Sequence, residues 1–325
     1  MVKILMIIVI SFIVAAISGL FLIPFLHRLK FGQEIREEGP KWHKKKSGTP
    51  TMGGFIFIIA ALVGVVSGIF INGISEYQED IMAVAAMFLA ALGFGLIGFL
   101  DDYIKVILKR NLGLRAGQKF SLQFLVALIF SVWAAASGLV DTGIVVPFTQ
   151  KTLELGFIIY IPFTILVMLA AVNSVNLTDG LDGLAGFVTL FVCLFYMISA
   201  NAIKLPTVAV FAAATVGGIL GFLIYNKYPA KVFMGDTGSL FLGGAVSAMA
   251  IFMKNPLVLL LVGFVYVAES LSVIIQVAYF KKTGKRIFKM SPIHHHFEMC
   301  GWSEKKVVAV FSAVTIALCL IGFFA

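Results

Sequence analysis

The stretch Met82-Ala-Val-Ala-Ala-Met-Phe-Leu-Ala-Ala-Leu-Gly-Phe-Gly-Leu-Ile-Gly-Phe-Leu100, followed at once by Asp101-Asp102-Tyr-Ile-Lys105, decides the fold. Residues 82–100 carry no charge, and as a helix they rise about 28 Å, close to the ~30 Å of bilayer hydrocarbon. The run is one of ten. Others lie near 4–24, 53–71, 121–140, 156–174, 184–200, 207–225, 238–253, 257–279 and 307–324, the eighth of the series (238–253) being short and glycine-rich. The 325 residues are 60% hydrophobic and 13% charged, against ~45–50% and ~25% in soluble domains. With a mean hydropathy of +1.04, no water-soluble core could hide this surface, so the bilayer has to be the solvent. The expected fold is all-α, a polytopic integral membrane protein of about ten transmembrane helices forming one domain over 1–325.

The connections alternate sharply in charge. Segments 27–50, 101–119, 226–240 and 281–306 hold 7, 5, 2 and 7 basic residues, while the opposite side has only Lys3, Lys151, Lys204 and Lys254. The positive-inside rule therefore puts the basic segments in the cytoplasm and both termini outside, as an even number of spans requires. The same rule accounts for the net charge of +9 without a nucleic-acid partner, for which no motif is present. The stretch Ile4–Leu22 lacks a small-residue cleavage site and runs on into Pro24-Phe25-Leu26, so it reads as a first span rather than a removable signal. Cys193, Cys300 and Cys319 form no disulfide framework. The outward segments look inert: 72–80 is short and acidic, and the β-branched runs around Pro147 in 141–155 predict a small hairpin.

The inward segments collect acidic groups. They hold Asp101-Asp102, Asp179 and Asp182 within Asn173-Ser-Val-Asn-Leu-Thr-Asp-Gly-Leu-Asp182, and Asp236 in Phe233-Met-Gly-Asp-Thr-Gly-Ser239, with His294-His295-His296 in the last. Ionisable groups at a membrane boundary are functional candidates by default. Adjacent carboxylates repel, and a divalent cation relieves the repulsion. Hard oxygen ligands with few thiols suit Mg²⁺, which takes one or two carboxylates plus substrate phosphates. If 179–182 is helical, Asp179 and Asp182 share one face, and Gly180 and Gly183 let a ligand approach the backbone. Magnesium-assisted phosphoryl transfer, with lysines beside the phosphates, is the reaction class this inventory favours.

Each feature has a plainer reading. Asp101-Asp102 by itself fits a solvated helix cap as well as a functional pair. Asn176-Leu-Thr178 is a glycosylation sequon on the wrong side of the membrane. Consecutive histidines on a helix point 100° apart and cannot all bind one ion, so contacts to an anionic or sugar group are preferred to zinc. Gly64-x3-Gly68 and Gly217-x3-Gly221 are helix-packing motifs. Asp236-Thr-Gly-Ser occurs in aspartic proteases, but a protease dyad needs two such carboxylates and no second Asp-Thr-Gly is present.

Five motifs in order carry a family resemblance: Lys45-Lys46-Ser-Gly-Thr-Pro-Thr51-Met-Gly-Gly54, Gly98-Phe-Leu-Asp-Asp-Tyr-Ile-Lys105, Asn173-Ser-Val-Asn-Leu-Thr-Asp-Gly-Leu-Asp-Gly-Leu-Ala185, Pro229-Ala-Lys-Val-Phe-Met-Gly-Asp-Thr-Gly-Ser239 and Ser291-Pro-Ile-His-His-His-Phe-Glu298. Together they resemble the phospho-N-acetylmuramoyl-pentapeptide-transferase (translocase I) family, within the polyprenyl-phosphate N-acetylhexosamine-1-phosphate transferase superfamily. The resemblance runs from about residue 24 to 306. It implies transfer of the phospho-sugar of UDP-N-acetylmuramoyl-pentapeptide to undecaprenyl phosphate, giving lipid I and UMP in peptidoglycan synthesis. It also implies Mg²⁺, a bacterial inner or plasma membrane, and a homodimer. Asp236 resembles the principal magnesium ligand. Asp101 and Asp102 resemble a pair on the metal that deprotonates or positions the lipid phosphate, or attacks in a covalent variant. Asn173, Asn176, Asp179 and Asp182 resemble the lining of the nucleotide-sugar site, Asp182 and Phe233 being the uridine contacts. Lys46, Thr51 and Gln276 resemble further nucleotide-side positions, Lys105 and Lys119 phosphate neutralisers, and His294 and His295 sugar- or phosphate-side contacts, with His294 also a catalytic candidate.

Two rival readings stand beside this one. A sister transferase using UDP-N-acetylglucosamine would share the aspartates and the metal, but the sister enzymes arrange the histidine motif of the last segment differently. A transporter would place ionisable groups near the midplane. Glu269 is the one acidic residue well inside a span, and its plain reading is a structural polar contact.

Overall fold

The computed structural model describes residues 2–28, 48–73, 78–106, 113–149 and 151–325. Long helices follow the apolar runs: α1 (Val2–Arg28), α2 (Gly54–Asn72), α3 (Gln78–Val106), α4 (Ala116–Ala136), α5 (Gly156–Thr178), α6 (Leu184–Ala202), α7 (Pro206–Asn226) and α8 (Gly235–Phe252). Short α9 (Val258–Val262), long α10 (Phe264–Thr283), short α11 (Ile293–Met299) and α12 (Glu304–Gly322) complete the chain. Among the described residues, ten helices are long and apolar enough to cross a membrane. The expected hairpin is present: β1 (Gly143–Val146) pairs antiparallel with β2 (Lys151–Glu154), Gly143 opposite Glu154. It is tied to the α8–α9 turn by the Val145 N–H, which donates to the Lys254 carbonyl (2.7 Å).

Several expected boundaries move. The expected ninth span, 257–279, breaks at Gly263, leaving α9 as a stub and running α10 on to Thr283. The Gly263 N–H closes the stub on the Leu259 carbonyl (2.8 Å), and a side chain there would meet that carbonyl and the Tyr266 ring. Helix α3 does not end at Leu100 but continues through Val106, so Asp101 and Asp102 lie on a helix and not in a loop. Helix α8 likewise begins at Gly235, ahead of the expected 238. The reason is common to both. Hydropathy sees only the apolar part of a helix, and these helices carry their polar groups in terminal turns.

The core lies around α7 and α8, each 89% buried over its apolar span, whereas α1 and α10 are only 28% buried. The outer helices turn Leu5, Phe21, Ile129, Leu166 and Ile274 outward, a surface that lipid tails solvate as well as protein would. Helices α1, α2 and α7 pack through the two glycine motifs read from the sequence. Gly64 and Gly68 meet Ser11, Ala214, Ile7 and Val210, while Gly217 and Gly221 meet the backbone of α1 at Ile8 and Phe12. Helix α8 lies against α3, α5 and α2. Its Gly238 touches the Cα of Gly54, and the backbone at Asp236 presses on Gly98 of α3 so closely that no Cβ would fit there.

Candidate active site

The first turn of any helix has N–H groups with no partner within the helix. At α8 the partner comes from α3. Asp102 Oδ1 accepts the Asp236 N–H (3.2 Å), while Oδ2 accepts both the Thr237 N–H (2.9 Å) and the Thr237 hydroxyl (2.7 Å). A carboxylate in this place caps the turn and offsets the helix dipole. Gly235 opens α8 with φ +71°, and a side chain there would run into Asp102 Oδ2 and Thr51 Oγ1. Asp102 is thus engaged with α8, and Thr51 packs beside it.

The neighbouring Asp101 faces elsewhere. Its Oδ1 accepts the Leu114 N–H (2.8 Å) and its Oδ2 lies 2.5 Å from Lys105 Nζ. Lys105 also donates to Asp236 Oδ2 (3.0 Å). Lys119, in the first turns of α4, donates to the same oxygen at 2.6 Å and stands 3.9 Å from Asp101 Oδ2. On the other side, Asn176 of α5 donates to Asp236 Oδ1 (2.9 Å) and to Ser239 Oγ (2.8 Å). Four helices therefore converge on one carboxylate that is 17% exposed.

This donor set fits Mg²⁺. Asp101 Oδ2 and Asp236 Oδ2 both turn to the same two ammonium groups, so the place between them already attracts positive charge. Among the described residues no cluster of three ligating side chains forms. A cation held there would take one or two carboxylates and fill its shell with water and substrate oxygens, which is how magnesium is commonly bound.

The segment after α5 does not continue as a helix. Asp179 is the C-cap of α5 and 180–183 is a turn, so the condition that would set Asp179 and Asp182 on one helical face is not met. Gly183, at φ +81°, starts α6 from a backbone conformation that side chains other than glycine disfavour. Asp182 is buried. Its N–H donates to Glu304 Oε1 (2.6 Å) and its Oδ2 accepts the Ala230 N–H (2.9 Å), tying the segment to α12 and to the α7–α8 connection. Asp179 stays half-buried, and burial, then the negative charges of Asp236, Asp102 and Asp182, hold its carboxyl well above the usual carboxylate range.

The α7–α8 connection is clamped to the start of α2 by backbone bonds. Phe233 N–H donates to the Pro50 carbonyl (2.8 Å), Gly53 N–H to the Phe233 carbonyl (2.8 Å) and Gly54 N–H to the Met234 carbonyl (3.0 Å). Phe233 is half-buried. Asn173 is placed one turn before Asn176, donating to Gln123 Oε1 (2.9 Å) and the Leu169 carbonyl (2.8 Å), as a clamp between α4 and α5. Gln276 of α10 accepts the Ile287 and Phe288 N–H groups and donates to the Phe288 carbonyl, each at 3.0 Å, so it shapes the segment leading into α11.

The three histidines of α11 have three different environments. His294, 1% exposed, stands 3.0 Å through Nδ1 from Glu269 Oε2. His295 pairs with Glu298 (2.8 Å), and His296 Nδ1 accepts the Lys289 N–H (3.1 Å). They do not converge on one ion. Phe297 anchors the helix by stacking on Trp302 at 4.7 Å. Lys46 lies outside the described residues. Sequence reading passed over Thr237, Ser239, Gln123 and Glu304. Thr237 and Ser239 were legible as hydroxyl residues opening a helix, whereas Gln123 and Glu304 gave no local signal.

Comparison with known proteins gives the family. The chain matches Glycosyl transferase family 4 over residues 84–254 and the Phospho-N-acetylmuramoyl-pentapeptide-transferase signature 1 over 46–58. A phospho-N-acetylmuramoyl-pentapeptide-transferase of Clostridium kluyveri is 50% identical over 323 residues, covering 99% of each chain. One from Caldanaerobacter subterraneus is 52% identical over 322 residues, covering 99% of this chain and 98% of the relative. One from Clostridium novyi is 51% identical over 316 residues, covering 97% and 94%. With half its residues shared along nearly its whole length, and with the segments that build the aspartate site inside the matched regions, this chain belongs to the phospho-N-acetylmuramoyl-pentapeptide-transferase family.

Proposed function

We propose that this multi-pass bacterial membrane enzyme transfers phospho-N-acetylmuramoyl-pentapeptide from its UDP-activated form to undecaprenyl phosphate, giving lipid I and UMP in the first membrane step of peptidoglycan synthesis. The observation that carries the reading is Asp236, set between Asp101, two lysines and Asn176 at the pole of the bundle that bears the basic segments. That pole is the cytoplasmic one in this reading, with both termini outside, because basic residues collect on the cytoplasmic side. A site at those helix ends meets a cytosolic nucleotide and a lipid phosphate at the inner leaflet together.

An oxygen of the lipid phosphate attacks the β-phosphorus of the UDP-sugar. The bond from that phosphorus to the bridging oxygen breaks, and UMP leaves with the electron pair. A phosphate monoester is largely ionised near neutral pH, so positioning and charge neutralisation outweigh proton removal. Lys105 and Lys119 neutralise phosphate oxygens, and Asp101 positions the attacking group or takes its remaining proton. Asp102 stays on the α8 terminus, so its contribution to the metal side is to fix Asp236. Magnesium, when bound by Asp236 and Asp101, supplies charge neutralisation at the diphosphate. Asn176, Asp179 and Asp182 line the nucleotide-sugar side, where Phe233 offers an aromatic face to uracil. Thr51, Gln276 and Asn173 shape that lining, Lys46 adds a cation to it, and His294 and His295 face the sugar. The enzyme works as a homodimer.

The test is UMP release by purified protein in detergent. Release should require the muramoyl-pentapeptide nucleotide, undecaprenyl phosphate and Mg²⁺ together. Turnover of UDP-N-acetylglucosamine instead would assign the sister reaction. A phosphorylated enzyme trapped without lipid phosphate would replace direct attack with a covalent route. Light scattering of the detergent-solubilised protein decides the dimer, a monomer mass refuting it.

A further inference from the structure

Glu269 remains outside the chemistry described so far, although it stands against His294, which the proposed function turns toward the sugar. Glu269, in the second turn of α10, is 0% exposed, and His294 reaches it because α11 folds back against α10. Glu269 Oε2 stands 3.0 Å from His294 Nδ1 and 3.5 Å from the His294 backbone N, an approach askew to the ideal line. A carboxylate and an imidazole so deeply buried are costly separately and much less costly together. The partnership leaves an imbalance. Glu269 Oε1 and both ring nitrogens of His294 are buried without a hydrogen-bond partner among the described residues, so the 3.0 Å approach of Oε2 to Nδ1 is a charge contact and not a formed hydrogen bond.

The direction of Nε2 gives the pair a use. That edge of the ring lies on Gly180, where a Cβ would collide with Nε2 and Cε1. No unusual φ accounts for this glycine, so what Gly180 provides is room for the imidazole. The ring is therefore wedged between a carboxylate inside the bundle and the turn that carries Asp179 and Asp182. A carboxylate on one imidazole nitrogen fixes the tautomer and the orientation of the other.

We propose that Glu269 is a positioning residue for the transfer reaction: it holds the proton of His294 on Nδ1, so that Nε2 is presented past Gly180 as an acceptor for a hydroxyl or amide N–H of the nucleotide-sugar substrate. The role of Glu269 is thus to set the tautomer, not to touch substrate, and it rests on the reading that the Asp179–Asp182 turn borders the nucleotide-sugar side.

Two readouts separate this role from the overall reaction. In protein labelled with ¹⁵N-histidine, the His294 signal, assigned by its loss in His294→Asn, should be that of the Nδ1–H tautomer. That signature should change in Glu269→Ala. An Nε2–H tautomer in the wild-type protein would overturn the proposal, whether or not the protein turns over the muramoyl substrate. In the activity assay, Glu269→Ala should raise KM for the UDP-sugar by about 10–100-fold without changing KM for undecaprenyl phosphate. Glu269→Gln, which keeps an acceptor oxygen opposite Nδ1, should recover most of that loss. Gly180→Ala, whose methyl group would crowd the Nε2 edge of the ring, should raise the same KM, which keeps the test decisive if Glu269→Ala does not fold. Unchanged KM in both variants would also overturn the proposal, while an inactive wild type with the Nδ1–H tautomer would count against the proposed reaction alone.

Discussion

Asp102 accepts the backbone N–H of Asp236 at 3.2 Å, so the carboxylate of one aspartate fixes the start of the helix that carries the other. Two residues that look equivalent in Asp101-Asp102 are thereby separated by one helical step of about 100°. Asp101 looks to the lysines and Asp102 to α8.

The first prediction concerns that cap. Asp102→Ala removes the acceptor of two N–H groups and a hydroxyl, and should destabilise the protein by about 1–2 kcal/mol, the usual worth of a helix cap. Asp102→Asn retains one carbonyl oxygen and should fall between it and the wild type. Thermal unfolding in detergent measures both, and equal melting temperatures across the series would remove the capping role.

Asp236 is predicted to behave in the opposite way. Asp236→Asn keeps the size of the side chain and leaves the backbone bonds from Asp102 in place. Its melting temperature should stay near that of the wild type. Magnesium-dependent UMP release should fall on the order of 1,000-fold, since a metal supplies several kcal/mol at about 1.4 kcal/mol per tenfold. Near-normal turnover would refute the magnesium role.

Asp179 carries a pH dependence. Its carboxyl is held above the usual range, by burial first and then by three neighbouring aspartates. A raised folded-state value means the folded protein keeps its proton longer than the unfolded chain. Stability from this group is therefore complete in acid and declines as pH rises from the unfolded value through the folded one. In chelator, Asp179→Asn should melt above the wild type at neutral pH and level with it in acid. Added Mg²⁺ should narrow the gap by offsetting the negative neighbours. Unfolding scans across pH, with and without metal, check the sign.

A pair of glycines tests the crossing of α3 and α8. At Gly98 a methyl group would be driven into the carbonyl of Asp236, so Gly98→Ala should cost about 1–3 kcal/mol of stability and most of the activity. Gly117, near the start of α4, has open space where a methyl group would sit, with nothing within 4 Å, and Gly117→Ala should be neutral or stabilising by up to about 1 kcal/mol. Activity of both variants at equal folded fraction is the measurement.

The ten spans and the hairpin were legible because long apolar runs and β-branched turns are local signals. The ends of α3 and α8 were not, since Asp101, Asp102 and Asp236 look like loop residues until a neighbouring helix supplies their partners. The turn after Thr178 was not legible for a related reason. Spacing of three is compatible with a helix, and only the bonds from Asp182 to Ala230 and Glu304, far along the chain, select the turn. The aspartates themselves were found from charge at a membrane edge, but which of them shared a lysine was written only in three dimensions.

The contact between Lys105 and Asp236 spans 131 positions, and that between Asn176 and Asp236 spans 60. During synthesis, therefore, Asp101 and Asp102 emerge long before the helix whose end they organise. A chain halted ahead of Gly235 carries two acidic groups with no α8 terminus to cap, and Lys105 and Lys119 with no second carboxylate to share. The site cannot be complete until α8 has been made, so a half-made protein does not hold a working one.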